Sequence, residues 1–313
     1  MAAFLQFLFK GISVGSLYAL IALGYTMVYG ILSFINFAHS DVFMLGAFFT
    51  WRFAGAFGLD HPSSVQVAGL LLLAMAACAV TGFLIERLAY RPLRHAPRIN
   101  VLITASGVSL LIENVGQLVF GKAVVQFPSL SAAHFSLFGH TFQMDGTFEL
   151  GGVNIRMVEI LAVAASLALM LGLQWMVYRT KVGRAMRAVS VDHQVAGLMG
   201  IPVDRIISLT FVIGSALAGA GGLLVGFTYG QIKQPADASW ILYGLKAFIA
   251  AVIGGIGNLP GAMLGGLVLG LSEQFVAGYV STTFRDAIAF ALLILILLVR
   301  PNGILGRRVV EKV

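Results

Sequence analysis

GISVGSLYALIALGYTMVYGILSFINFAHSD, residues 11–41, decides the fold. Residues 11–40 contain no Lys, Arg, Asp or Glu. The part from 11 to 32 is long enough to cross a bilayer core at about 1.5 Å rise per residue. It also outruns the roughly 7 to 15 apolar residues of a cleavable leader, so a retained helix is expected. The second part changes character. Asn36, His39 and Asp41 stand where an unbroken lipid-facing helix would bury them at a cost of a few kcal/mol for an ionisable group. Such groups are tolerated where the backbone breaks against protein or a water-filled cavity, which predicts a broken or re-entrant segment over 34–53.

Further low-charge segments of spanning length follow at 66–85, 99–120, 157–178, 206–227, 241–258, 261–280 and 284–299. The fold class is therefore all-α: a polytopic transmembrane helix bundle of about eight spans plus the broken segment, forming one domain over 1–313. Composition agrees, because 59% of residues are hydrophobic and only 11% charged, against about 25% charged in soluble domains. The 37 glycines suit helices that pack closely. Cys78, the only cysteine, excludes an internal disulfide.

Basic residues set the orientation. Arg87, Arg91, Arg94 and Arg98 lie in 86–98; Arg179, Lys181, Arg184, Arg187 and Arg205 in 179–205; Arg300, Arg307, Arg308 and Lys312 in the tail. These regions are expected on the cytoplasmic side, with 54–65, 121–156 and 228–240 facing out. Eight spans with a re-entrant 34–53 put both termini inside, whereas nine full spans put the N-terminus outside; the first arrangement is preferred. The net charge of +7 is a topology signal, and no aromatic-basic module supports nucleic-acid binding.

Polar groups within spans are the candidate substrate pathway: Asn36, His39, Asp41, Glu113, Asn114 and Glu273; Lys246, near the start of span seven, and Gln274, beside Glu273 in sequence, are further polar residues within spans. The alternative for each is a packing hydrogen bond. Gly254, Gly255, Gly257, Pro260 and Gly261 must break or bend a helix, as a pathway element or as a plain turn, while Gly265, Gly266 and Gly270 admit a close helix neighbour. The loop 183–202 is too polar to span and too apolar for a linker. Asp192 there can cap a short helix over 194–199 that Gly200 and Pro202 end. Such an element either rests on the membrane surface or docks in a partner's groove, with Arg184, Arg187, Ala188, Ala196 and Gly197 at the contact.

No G-x-x-x-x-G-K-[ST] phosphate loop, H-E-x-x-H, G-x-S-x-G or paired-cysteine pattern occurs, so neither an enzyme nor a metal site is expected. An ion-gradient-driven secondary transporter or channel using Asp41, Glu113 or Glu273 is the alternative reading.

Gly15-Ser16-Leu17-Tyr18-Ala19-Leu20, Phe34-Ile35-Asn36-Phe37-Ala38-His39, the loop 183–202, Gly244-Leu245-Lys246-Ala247-Phe248 with the run to Gly261, and Arg300-Pro301-Asn302-Gly303-Ile304-Leu305-Gly306 together give a resemblance over nearly the whole chain. It resembles the inner-membrane permeases of bacterial ABC importers for branched-chain amino acids, specifically the shorter of the two paired permeases. Ser40 departs from the family's usual Gly, and Asp41 from the commoner Glu. The resemblance implies a second homologous permease, two ABC ATPases at the cytoplasmic face that hydrolyse ATP, and a periplasmic solute-binding protein. It implies no cofactor in this chain. It also implies that 183–202 is the ATPase coupling loop, and it leaves the solute open among branched-chain and other amino acids, amides, urea and small carboxylates.

Overall fold

The computed structural model describes residues 1–32, 34–94, 96–137, 140–150 and 152–306. Arg307, Arg308 and Lys312, which contribute to the tail's basic bias, lie outside the described residues.

Eleven α-helices are described: α1 (Ala2–Leu32), α2 (His39–Ala56), α3 (Ser64–Ile85), α4 (Arg98–Phe120), α5 (Met157–Arg179), α6 (Lys181–Val191), α7 (His193–Leu198), α8 (Val203–Tyr229), α9 (Ala238–Gly254), α10 (Leu259–Tyr279) and α11 (Arg285–Val299). Seven helices are long and apolar enough to cross a membrane, and the shorter apolar α9 supplies the eighth expected span. The 34–53 segment resolves into a break over 34–38 followed by α2.

Contacts between loops define two faces. Gln6 donates to Asn154 O at 2.8 Å and accepts from Asn154 N at 2.8 Å, so α1 begins on the face that carries the 121–156 loop. Ser129 N donates to Asp60 O at 3.0 Å, so α2 ends on that same face. At the other face the end of α1, at Gly30 and Ile31, shares a small cavity with Met186, Arg187 and Ser190 of α6 and with Gly257. The tail lies here too: Ile304 N donates to Ile253 O at 2.8 Å and Leu305 N to Gly254 O at 3.0 Å. The chain thus starts on one face and runs to residue 306 on the basic face. The expectation of both termini on one side is corrected, because α2 is a crossing helix and not a re-entrant loop; its 18 residues span about 27 Å.

α1, α2 and α8 form the centre. Residues 15–28 of α1 and 217–228 of α8 are buried on every side, which is why both are apolar all round rather than striped. α3, α4, α5 and α11 ring them and turn residues such as Leu72, Leu111, Leu171 and Leu298 outward, as a lipid-facing helix does. Glycine permits the closest approaches. A Cβ on Gly15 would meet the backbone of Gly266 and Leu267, one on Gly266 would meet Ala19, and one on Gly270 would meet Gly15. Thus Gly11, Gly15 and Ala19 of α1, spaced by four, face Gly266 and Gly270 of α10. The sequence reading found the second row and not the first.

Gly254 to Gly261 is a turn between α9 and α10, not a kink within one helix. Gly255 (φ 105°) and Gly257 (φ 87°) take left-handed backbone, and Asn258 caps α10 by accepting from Gly261 N at 3.2 Å. Pro260 occupies the first turn of α10, where its missing N–H costs nothing. The 121–156 loop, read as plain connection, carries two hairpins, β2 (His134–Leu137) with β3 (His140–Gln143) and β4 (Thr147–Leu150) with β5 (Val153–Arg156). Its β1 (Val125–Gln126) pairs with β6 (Gln231–Ile232).

Gly270→Leu is expected to lose at least about 2 kcal/mol through overpacking, read as a large fall in melting temperature in detergent. Gly172→Leu, at a position with open space around it, should melt like the wild type. Equal melting of the two variants would show that the α1–α10 seam does not hold the bundle.

Candidate functional site

Polar side chains gather in three places, and the first is the break before α2. His39 N closes a turn on Asn36 O at 3.2 Å, and Asn36 Oδ1 accepts from Tyr90 OH at 2.6 Å. The His39 ring meets Tyr25 edge-on at 4.7 Å and fills the space where a side chain on Gly24 would sit. Gly24 lies eight residues before the end of α1, so α2 starts about 12 Å in from the basic face, at membrane depth. The Ser40 side chain packs into the space left by Gly244, and its Oγ donates to Phe37 O at 2.9 Å. The departure at position 40 is therefore accommodated from α9. Asp41 is fully buried, and its neighbours on α4 are Ser109, within hydrogen-bond reach, and Glu113. Asn36, His39, Asp41 and Glu113 thus belong to one neighbourhood. Asn114 does not, because it sits on the exposed side of α4 and donates to Leu110 O at 2.7 Å.

Glu273 lies elsewhere, toward the opposite face. Its Oε1 is 2.9 Å from Lys246 Nζ, which also reaches Asp286 Oδ1 at 2.6 Å, and its Oε2 accepts from Tyr18 OH at 3.0 Å. A cavity of about 260 Å³ opens beside them, lined by Tyr229, Tyr243 and Arg285 among others. Tyr18, Arg285 and Asp286 were not singled out from the sequence. The adjacent charges 285 and 286 at the start of the last span were the available signal.

The third place is the basic face. Thr180 caps α6, and Asp192 caps α7 by accepting from Gln194 N at 2.7 Å and Val195 N at 2.9 Å, with Gly200 left-handed after it (φ 81°). The capped helix follows the sequence reading within a residue or so. Gly183, Met186 and Val189 anchor α6 inward, and Arg187 stacks over the Tyr178 ring. Ala196 is buried against the bundle, whereas Val195, Leu198 and Met199 of α7 are exposed. Beside α7 an open groove of about 820 Å³ is lined by Gly197, Pro202, Arg87 and Arg91. Its wall is a charge network that the sequence reading did not assemble. Buried Glu86 accepts from Arg94 and from Ser208 Oγ (2.6 Å), while Asp204 accepts from Arg94 and from Arg91 (2.7 Å). Among the described residues no cluster of side chains could hold a metal ion.

Among the described residues, seven helices long and apolar enough to cross a membrane, packed with the shorter α9 and α2 around buried charged groups, define a multi-pass membrane permease. Residues 7–297 match the family described as branched-chain amino acid transport system / permease component. The chain is 44% identical to the Escherichia coli (strain K12) high-affinity branched-chain amino acid transport system permease protein LivH, over 99% of this chain and 98% of that protein. It is likewise 44% identical to the permease protein BraD of Pseudomonas aeruginosa, over the same shares. The Escherichia coli permease protein LivM is 23% identical over 92% of this chain and 68% of that protein. The chain belongs to the family of branched-chain amino acid transport system permease components. It is a transport subunit and not an enzyme, and the ion-gradient-driven alternative gives way to this assignment.

Asn36→Leu alone strands the buried Tyr90 hydroxyl, at a cost of about 1–3 kcal/mol. The double variant Asn36→Leu/Tyr90→Phe removes both partners and is expected to recover most of the lost thermal stability. A double variant no more stable than Asn36→Leu would show that this hydrogen bond does not hold the break.

Proposed function

We propose that this chain, acting as one domain over 1–313, is the inner-membrane permease of a binding-protein-dependent ABC importer. With a second, homologous permease it forms the pathway for branched-chain or related small amino acids. Two ATPases on the basic, cytoplasmic face hydrolyse the ATP, a periplasmic solute-binding protein delivers solute to the other face, and the C-terminus is cytoplasmic. Relatives named for the same solutes over the full chain support the solute class. The similarity to LivM, a second permease of a branched-chain amino acid system, supports the pairing. The basic bias of 86–98 and 179–205 supports the orientation.

One observation carries the coupling reading: α7 is a capped helix on the basic face whose Val195 and Leu198, with the adjoining Met199, are exposed among the described residues, and it edges an open groove. An apolar helix face beside a basic groove suits docking to a partner, and Arg184 and Arg187 supply electrostatic orientation. The groove joins α7 to the Glu86–Arg94–Asp204 network between the segment that follows α3 and the start of α8, so movement of α7 has a polar route into the bundle. The pathway reading assigns Asn36, His39, Asp41 and Glu113 to the inner half and Glu273 to the outer half. Asn114 faces outward and is available to a neighbouring subunit or lipid.

A Cβ at position 197 would stand in ordinary contact with Val203 Cγ2, at 3.9 Å, and the position borders the open groove, so Gly197→Trp is expected to burden a partner more than this chain. The variant is expected to insert normally, while ATPase association or solute-stimulated ATP hydrolysis falls about tenfold or more, equivalent to about 1.4 kcal/mol. Full ATPase association with normal uptake would refute coupling through α7. Arg184→Cys in a Cys78→Ala background should resist an impermeant thiol reagent in intact cells, and its labelling would invert the orientation.

A further inference from the structure

The geometry points to the cavity between α1, α9, α10 and α11 as a docking site in the permease for the charged end of a zwitterionic amino acid, its carboxylate meeting Lys246 and Arg285 and its ammonium meeting Glu273 and Asp286. This deepens the importer reading above and rests on it.

Four charged side chains line this cavity, two of each sign, so the site is electrically neutral as a whole. They do not form a closed set. Glu273 is met by Lys246 Nζ at 2.9 Å and by Tyr18 OH at 3.0 Å, whereas Arg285 Nε is buried with no acceptor among the described residues. One donor is therefore unmet in a residue bordering this space. A carboxylate satisfies it, while the ammonium of the same ligand exchanges with Lys246 at Glu273 and Asp286. A neutral ligand carrying both leaves no residual charge in a low-dielectric site, whereas a net cation or anion leaves one, which is costly there.

The rest of the lining is mixed, with Ser239, Gln274 and Thr282 beside apolar surface that a small side chain can meet. The aromatic rings of Tyr18, Tyr229 and Tyr243 and the aliphatic chains of Val14 and Leu242 face the cavity. Its volume of about 260 Å³ lies just under the roughly 300–1,000 Å³ of drug-sized sites, which fits a solute of amino-acid size. Lys246 is eight residues from the start of α9, hence about 12 Å below the non-basic face, and Asp286 is in the first turn of α11 at that face. The exposed Asp286 and buried Glu273 thus stand at the mouth and floor, with Lys246 between them. A solute arriving from the non-basic face replaces ion pair for ion pair, so Lys246 is never left without a counter-charge.

The test uses the complete importer, with a Cys78→Ala, Leu242→Cys permease, in proteoliposomes without binding protein. An impermeant maleimide labels position 242 in the presence of millimolar leucine, leucinamide (no carboxylate) or 4-methylvalerate (no ammonium). Leucine is expected to slow labelling at least about threefold, the two analogues not at all, and Lys246→Met to abolish the protection. Should Lys246→Met fail to assemble, the neutral pair Lys246→Met/Glu273→Gln takes its place. No protection by leucine, equal protection by either analogue, or protection that survives loss of Lys246 overturns the proposal and leaves the four charges as a bolt between helices. Leucine uptake with binding protein present is measured alongside. Uptake without protection removes the docking site and keeps the importer reading, whereas protection without uptake removes the importer reading alone.

Discussion

A helix in hydrocarbon gains no hydrophobic energy by exchanging lipid tails for another helix, so close backbone contact must supply the cohesion. In this bundle that contact is the α1–α10 seam, where Gly11, Gly15 and Ala19 meet Gly266 and Gly270 with no room for a side chain. Much else is positioned by it. The seam places Tyr18 against Glu273, and it presents Gly24, one turn and a half further along α1, to His39. The charged cavity toward the non-basic face and the polar break toward the basic face are therefore both indexed to one helix, and a register shift there would disturb both.

Each polar group that enters the bilayer near the break is matched by something a neighbour lacks or offers. His39 occupies the volume that Gly24 leaves, Ser40 the volume that Gly244 leaves, and Asn36 finds the Tyr90 hydroxyl. The glycines serve here as receptacles and not as hinges. Asp41 is the exception, a fully buried carboxyl group whose neighbours on α4, Ser109 and Glu113, bring it no countercharge, and burying such a group is a large cost unless function retains it.

Much of this architecture was legible in the chain because membrane spans are written in long runs of composition. Eight spans and a break after residue 32 could be read from charge alone, and the cap at Asp192 from a local pattern. Which way α2 runs was not legible, since eighteen residues that open with His39 and Asp41 look too polar to cross until the burial of both is seen. Likewise, Glu273 stood out by itself, yet its partners Tyr18 and Lys246 sit on two other helices, and Lys246's second partner, Asp286, on a third. Local sequence carries no record of such distant pairings. Asn114, adjacent in sequence to Glu113, shows the converse: one residue along a helix is about 100° of rotation, enough to move a side chain to another face.

The strap formed by residues 302–306 gives the fold an order in time. Ile304 N and Leu305 N supply hydrogen bonds to Ile253 O and Gly254 O, and Leu305 O accepts from the Asn258 side chain. Those partners are separated by about fifty residues of chain, all of which must leave the ribosome before the α9–α10 turn is sealed. Until then the hairpin is inserted but unlatched, with backbone acceptors open that lipid cannot serve. A nascent permease therefore carries, at this turn, a physical mark of incomplete synthesis that is erased only when the strap arrives.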